Sequence, residues 1–252
     1  MVARTSDLFS RQMPFIGEEN QEKLSKAKVV VVGAGGLGSF VSSMLVRMGI
    51  GVVRIIDRDL VEESNLPRTI MYSRKDIGKA KAFVAKERLS SINPTSRVDG
   101  VTESLTPYNA KKLLTGFDVV VDCTDSMETR HAINEFCVRS GVPWVYGTVL
   151  RDEGFSSTFR PGGKPCFSCL YQKNSKESER TADAGVIAPA VALIASWEAS
   201  EVIKVLLGIS APNYSKLLRA KLGGPVFEIH NTKPRDDCKV CGRMLPEKRS
   251  VK

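Results

Sequence analysis

Hydrophobic and polar positions follow one another along the chain in a way that predicts strands and helices in turn. Short apolar runs typical of buried strands occur at residues 29–32, 52–56, 117–122 and 143–147, and a more polar strand pattern occurs at 97–101. Helical patterns fall around them, at residues 7–28, 37–48, 76–91, 107–114 and 129–140. Strands that alternate with helices predict a mostly parallel, Rossmann-like α/β sheet with helices on both faces.

The pattern changes after Thr148. Residues 154–160 and 225–230 alternate in the manner of antiparallel strands, and an apolar helix is predicted between them at 187–207. The segment 172–183 is charged and has no apolar anchor, so we expect it to be mobile. It is either a lid over a site or a solvated connection.

No repeat or linker divides the chain, which favours a single domain over residues 1–252. Within it we expect a nucleotide-binding half at 29–148. The remainder, 149–242, is expected to hold an antiparallel extension, a crossover loop and a zinc knuckle.

A glycine-rich turn follows the first predicted strand. Gly33, Gly35 and Gly38 are spaced as G-x-G-x-x-G, and Asp57 closes the next strand. Such glycines let the backbone approach a phosphate at a helix N-terminus, and the acidic residue accepts hydrogen bonds from a ribose. The turn therefore predicts a nucleotide site, and taken alone it favours a dinucleotide.

Polar residues further along favour a triphosphate instead. Asn65, Arg68 and Lys81 supply donors suited to the β- and γ-phosphates, which a dehydrogenase would not need. Asp122 and Asp125 end another predicted strand, where ligand sites of parallel sheets lie. A carboxylate near phosphates predicts Mg²⁺.

Four cysteines form two pairs with the spacing of metal knuckles. Cys166 and Cys169 make one C-x-x-C pair, and Cys238 and Cys241 make the other. In an intracellular chain this pattern predicts a structural Zn²⁺ site with four thiolate ligands and no open position for chemistry. Redox-active dithiols are the alternative.

Composition narrows the function classes only a little. The chain has 252 residues, 42% of them hydrophobic, and a formal net charge of +9. That charge fits either a lysine-rich surface or attraction to a polyanion. No signal peptide, membrane span or nucleic-acid module is evident, so we expect a cytoplasmic protein with neither membrane nor nucleic acid as partner.

The two cysteines outside the C-x-x-C pairs, Cys123 and Cys137, are expected to be small buried apolar residues.

The motifs together resemble those of the ThiF/MoeB/HesA proteins, MoeB-type members above all, which are prokaryotic relatives of ubiquitin-activating enzymes. The resemblance spans residues 7–242 and rests on the following motifs: Arg11-Gln12, the 33–38 turn, Asp57, Asn65 with Arg68, Lys81, residues 122–125, residues 184–189, and the two C-x-x-C pairs.

The resemblance implies a nucleotidyltransferase that uses ATP to adenylate the C-terminal glycine of a ubiquitin-like β-grasp sulfur carrier, MoaD- or ThiS-like, with release of pyrophosphate. It implies nucleotide contacts from Gly33, Gly35, Gly36, Gly38, Asp57, Asp59, Asn65, Arg68, Lys81, Asp125 and Ser126, with Mg²⁺ at Asp125. It assigns catalysis to Arg11, Asn65, Arg68, Lys81 and Asp125. Arg11 would reach the phosphates of the opposite subunit, which implies a homodimer.

One departure from the family pattern bears on the reaction. Members that form a thioester or persulfide carry a cysteine before the Ala-Gly-Val motif, where this chain has none. We also expect no C-terminal sulfur-transfer domain, because the sequence leaves no room for one. We therefore expect adenylation without covalent transfer to the enzyme. The alternatives are an NAD- or FAD-binding oxidoreductase, a non-catalytic ATP-binding scaffold, and a relative that dehydrates a tRNA base. The carrier and its pathway (molybdopterin, thiamin, tRNA thiolation or protein conjugation) stay open.

Overall fold

The computed structural model describes residues 8–172 and 185–242. The helices are α1 (Met13–Ile16), α2 (Glu18–Lys26), α3 (Gly36–Arg47), α4 (Lys81–Ile92), α5 (Ala110–Leu114), α6 (Met127–Ser140), α7 (Phe167–Leu170) and α8 (Ala188–Leu207). The strands are β1 (Lys28–Val32), β2 (Val52–Ile56), β3 (Arg97–Val101), β4 (Val119–Asp122), β5 (Trp144–Leu150), β6 (Glu153–Phe159), β7 (Lys216–Lys221) and β8 (Val226–Asn231).

One eight-stranded sheet runs through the described chain in the order β3-β2-β1-β4-β5-β6-β7-β8. The strands from β3 to β5 pair in parallel, and those from β5 to β8 pair antiparallel. The strand order reverses between β1 and β4. From β1 the chain continues to β2 and β3 at one edge of the sheet, and from β4 it continues to β5 on the other side. A crevice at this reversal is the usual ligand site of such sheets.

Helices cover both faces of the parallel half, which explains why β1 and β4 are continuous apolar runs. Val29 and Val31 point into a core formed with α3 and α8. Val30 and Val32 point into a second core with α5 and α6. Side chains alternate between the two faces along a strand, so a strand that is covered on both faces has no position that faces solvent.

The mostly parallel sheet and its antiparallel extension confirm the predicted fold class. The largest differences from the sequence predictions are at the start of α4 and at β7. The helix expected at 76–91 begins only at Lys81, because residues 74–76 form a 3₁₀ turn closed by the Asp76 carboxylate. Strand β7 was not predicted, since the sequence Lys-Leu-Leu-Arg-Ala-Lys does not alternate regularly between apolar and polar residues. Its pairing with both β6 and β8 decides its conformation.

The segment 172–183, predicted to be mobile, lies outside the described residues except for Gln172. Within 8–172 and 185–242, no helix is both long enough and apolar enough to cross a bilayer. The apolar helix α8 starts at Ala188, with Pro189 in its first turn where a missing N–H is tolerated.

Candidate nucleotide site and metal centre

The glycine turn between β1 and α3 is shaped by two close backbone approaches. Gly33 has a φ of +94°, and a Cβ there would lie 2.6 Å from the Cys123 carbonyl oxygen. A Cβ on Gly38 would collide with the Gly33 carbonyl oxygen. Gly35 differs, because a Cβ there would meet no described atom within 4 Å. Two glycines therefore close the turn, and the third borders open space.

Two helix N-termini at this edge of the sheet are free of acidic residues. In α3 and α4 no described side chain caps the first turn, and neither first turn contains an Asp or Glu. Backbone N–H groups at a helix N-terminus carry partial positive charge. Uncapped ends of this kind are suited to an anion such as phosphate.

Asp57 is held in a fixed orientation beside the glycine turn. Its Oδ2 accepts a hydrogen bond from Ala34 N at 2.6 Å, and its Oδ1 accepts one from Asp59 N at 2.8 Å. Burial raises the pKa of this carboxyl, while the two amide donors oppose the shift. Each oxygen retains a second lone pair, which gives the carboxylate the acceptor capacity that a ribose requires.

Lys81 begins α4 and is nearly buried, with 8% of its surface exposed. Its Nζ lies 3.2 Å from Asp59 Oδ2, so the ammonium group is directed toward the 57–59 loop. The Tyr72 hydroxyl donates to Ala34 O at 2.7 Å, with a longer contact of 3.5 Å to Lys81 O. Tyr72 thus ties the glycine turn to the start of α4. Sequence analysis missed it, since it belongs to no motif and its partners are backbone atoms.

The 3₁₀ turn Glu63–Arg68 lies against the glycine turn. The Asn65 side chain accepts from Glu62 N and donates to Ser64 Oγ, both at 3.2 Å, so its amide shapes this turn. Arg68 donates from Nη1 to Ser64 O at 2.6 Å. A Cβ on Gly36 would lie 3.5 Å from Arg68 O, which places the Arg68 backbone next to the glycine turn.

The two carboxylates after β4 have different environments. Asp122 is fully buried and accepts from Thr124 N at 3.0 Å and Thr124 Oγ1 at 2.7 Å, with Arg130 Nε at 3.4 Å. Asp125 is exposed to solvent. Ser126 caps α6 by accepting from Thr129 N at 3.3 Å. Asp122 is therefore a structural residue, and Asp125 is the carboxylate of this pair that a ligand can reach.

Arg130 is a second residue that sequence analysis missed. Its Nη2 donates to Thr124 O at 2.5 Å and to Thr148 Oγ1 at 3.2 Å. The guanidinium also lies over the Tyr146 ring, 5.1 Å from its centroid. Together with Asp122 it fixes the loop that carries Asp125. A charged residue near the start of a predicted helix gives no sign in the sequence that it will be buried.

Arg11 lies near the end of α3 that is farther from the glycine turn. Its neighbour Gln12 donates to Met48 O at 3.1 Å, at the C-terminal end of α3, whereas the glycine turn precedes the N-terminus of that helix. A helix of 12 residues is about 18 Å long. The fold of the chain does not bring Arg11 to the other predicted site residues.

The four knuckle cysteines form one cluster, although the two pairs are far apart in sequence. Their Sγ atoms all lie within 4.8 Å of one another, and all four residues are buried. Cys166 and Cys238 have their sulfurs 3.7 Å apart, and Cys169 and Cys241 have theirs 3.4 Å apart. Thiolates about 2.3 Å from a tetrahedral ion are about 3.8 Å apart, and a disulfide is about 2.05 Å long. The cluster fits a tetrahedral metal ion and not two dithiols.

Burial and hydrogen-bond donors around the sulfurs act in opposite directions on the pKa values of the thiols. Arg235 N donates to Cys169 Sγ at 3.4 Å. Burial raises the pKa of the Cys166 thiol to about 11. At Cys238 burial acts in the same direction, yet backbone N–H donors of Cys241 and Val240 lower the pKa to about 7. Binding of zinc to such a site displaces the remaining protons.

The fold and the site define a class: a nucleotide-binding α/β protein with a four-cysteine centre suited to zinc. The ThiF family model matches residues 9–240. The "Sulfur carrier protein adenylyltransferase" of Thermus thermophilus is 39% identical over 94% of this chain and 90% of its own length. The "Sulfur carrier protein ThiS adenylyltransferase" of Bacillus subtilis is 39% identical over 79% of this chain and 61% of its own length.

Solved structures agree with the sequence relatives. A crystal structure of Escherichia coli MccB with ATP superposes with a TM-score of 0.82 at 27% identity, covering 94% of this chain and 75% of that one. The chain therefore belongs to the ThiF family and is an ATP-binding, E1-like adenylyltransferase. The predicted family and enzyme class are confirmed.

Proposed function

We propose that this protein adenylates the C-terminal glycine of a ubiquitin-like sulfur carrier and that the reaction on the enzyme stops at the acyl adenylate. The observation that carries this proposal is the likeness, over 90% of its length, to a relative named for adenylating a sulfur carrier. The gathering of Asp57, Arg68, Lys81 and Asp125 at the carboxyl edge of β1, β2 and β4 supports it.

In the proposed complex the phosphates of ATP occupy the open space beside Gly35, at the N-termini of α3 and α4. Asp57 accepts hydrogen bonds from the ribose. Arg68, Lys81 and Asn65 bind the phosphates, with further nucleotide contacts from Asp59 and Ser126. Asp125 would hold Mg²⁺, which supplies charge neutralisation at the phosphates when bound.

The chemical step is an in-line displacement. A carboxylate oxygen of the carrier attacks the α-phosphorus of ATP, the bond from that phosphorus to the α,β-bridging oxygen breaks, and pyrophosphate leaves. The attacking carboxylate is already ionised near neutral pH, so no general base is needed. Positioning and stabilisation of charge by Arg68 and Lys81 are then the main contributions of the protein.

We further propose that the active form is a homodimer. Arg11 lies about one helix length from the glycine turn of its own protomer, so it can contact a nucleotide only across an interface.

We also propose that the chain forms a single adenylation domain. The continuous sheet through its parallel and antiparallel parts supports this organisation.

The cysteines support a reaction without an enzyme-bound thioester. All six lie in the described part of the chain and are buried. Four belong to the metal cluster, and burial raises the pKa of Cys123 and Cys137 well above the usual range for a thiol. A neutral buried thiol is a poor nucleophile.

Carrier-dependent ATP–pyrophosphate exchange tests the proposal. We expect exchange only when a small β-grasp carrier ending in glycine is added, and none with a carrier lacking that glycine. Denaturing electrophoresis of the mixture should show no thiol-sensitive adduct between enzyme and carrier. Exchange with no carrier would contradict the substrate, and a thiol-sensitive adduct would contradict the adenylate as the endpoint. ATP binding without exchange against any β-grasp carrier of the host would favour the non-catalytic scaffold.

A further inference from the structure

Helix α6 connects two regions of the molecule. One is the carboxyl edge of β1, β2 and β4, which carries the glycine turn and Asp125 and is called the nucleotide edge below; the other is the four-cysteine cluster. Ser126 caps its first turn next to Asp125, and Val138 in its last turn packs against the cysteines. Asn134 lies between them with none of its surface exposed. A fully buried amide needs partners for both its oxygen and its nitrogen, because an unpaired polar group in the interior is costly.

The partners of Asn134 all belong to the first cysteine knuckle. Its Oδ1 accepts from Phe167 N at 3.0 Å, and its Nδ2 donates to Ser168 Oγ at 3.1 Å. The same Nδ2 lies 3.7 Å from Cys166 Sγ, within hydrogen-bonding range for sulfur. One side chain therefore contacts every residue from Cys166 to Ser168, including the sulfur itself.

We propose that Asn134 is an outer-shell partner of the zinc site, which orients the Cys166 knuckle and stabilises its thiolate. Four thiolates around one Zn²⁺ leave a net charge of −2 in a buried place, and N–H donors to sulfur offset part of it. The inference rests on zinc as the ion of the cluster and does not depend on the identity of the carrier. Loss of an outer-shell partner typically lowers metal affinity about 10–100-fold.

Two substitutions distinguish the role of the Asn134 amide nitrogen as a donor to sulfur from the role of its oxygen as an acceptor. Asn134→Asp keeps an acceptor for Phe167 N–H but removes the donor to sulfur and adds a negative charge. Asn134→Leu removes both hydrogen-bonding functions at similar volume. The matched control is Asn93→Leu, because Asn93 is 1% exposed and donates to Val46 O and Ser96 Oγ, away from the cysteines.

The measurement is zinc affinity of the full chain by competition with a chromogenic chelator. We expect about 10–100-fold weaker binding in both Asn134 variants and no change in Asn93→Leu. Cobalt substitution gives a second readout, since the sulfur-to-cobalt charge-transfer bands should shift in Asn134→Asp. In the unaltered protein loaded with cadmium, NMR should show a scalar coupling between the metal and the Asn134 side-chain N–H.

The outcomes can be told apart. Unchanged zinc affinity in the Asn134 variants, or no coupling to cadmium, would overturn the inference, as would an equal loss of affinity in Asn93→Leu. If the Asn134 variants do not fold, the cadmium coupling in the unaltered chain decides the question. If the unaltered protein binds no zinc, both the role of Asn134 and the assignment of zinc to the cluster are wrong. The proposed adenylation is tested independently of this result by pyrophosphate exchange.

Discussion

The nucleotide edge and the four-cysteine cluster lie at the two ends of α6 and are built in opposite ways. The nucleotide edge consists of turns that each follow their own strand, and its shape depends on backbone atoms packed too closely for a Cβ. The cysteine cluster joins residues 72 positions apart through their sulfur atoms. The first region is thus sensitive to added atoms, and the second to the loss of a single ligand.

The largest expected effect is at the cysteine cluster. Cys241→Ser should abolish stoichiometric zinc binding, with loss of a metal-binding free energy on the order of 10 kcal/mol. The segment after β8 should then become open to limited proteolysis while the parallel half keeps its circular dichroism. Cys137→Ser is the control, because Cys137 is buried outside the cluster. Full zinc content in Cys241→Ser would contradict the four-ligand site.

At the nucleotide edge, removal of one charge should affect chemistry and leave the fold unchanged. Arg68→Ala should lower carrier-dependent pyrophosphate exchange about 10²–10³-fold, about 3–4 kcal/mol of transition-state stabilisation. Arg74→Ala is the matched control, since Arg74 is exposed and pairs with Glu63, which lies in the same 3₁₀ turn as Arg68. Full exchange in Arg68→Ala, or an equal loss in Arg74→Ala, would count against the assignment of Arg68.

Two glycines of the same turn should respond differently to alanine. Gly38→Ala forces the Gly33 carbonyl to move and should reduce the free energy of unfolding by about 1–3 kcal/mol. Gly35→Ala meets no described atom and should leave stability unchanged while lowering ATP affinity. Chemical denaturation and ATP titration of both variants measure the two effects. Unaltered ATP affinity in Gly35→Ala would argue that the phosphates lie elsewhere.

The smallest expected effect is at Tyr72. Tyr72→Phe removes the hydroxyl that donates to Ala34 O in the glycine turn, and should reduce stability by about 1 kcal/mol. Tyr108→Phe, at a position that is 99% exposed, should change nothing measurable. Thermal unfolding compares the two. A Tyr72→Phe protein as stable as the parent would mean that water or a shift of the turn replaces the hydroxyl.

Much of the fold could be predicted because its signals are local. Val29 to Val32 and Val119 to Val121 are apolar on both faces, which only a covered parallel strand requires. Strand β7 could not be predicted in this way, because three of its six residues are charged and only Leu218 and Ala220 are buried. It is paired on both sides, with β6 and with β8. The start of α4 was misplaced because Ser73 and Asp76 close a 3₁₀ turn at 74–76 with a capping box, and the Arg88 side chain of α4 also donates to the Asp76 carboxylate.

The sequence by itself determined the alternation of strands and helices, the glycine turn and the cysteine spacing, since each depends on neighbours a few positions away. Only the tertiary structure decided that Asp122 is buried with Arg130 while Asp125 is exposed, that Tyr72 joins two elements of the site, and that Asn134 contacts the cysteine cluster. The physical reason is that burial and hydrogen-bond partners are properties of packing between distant segments, which the order of residues along one segment does not express.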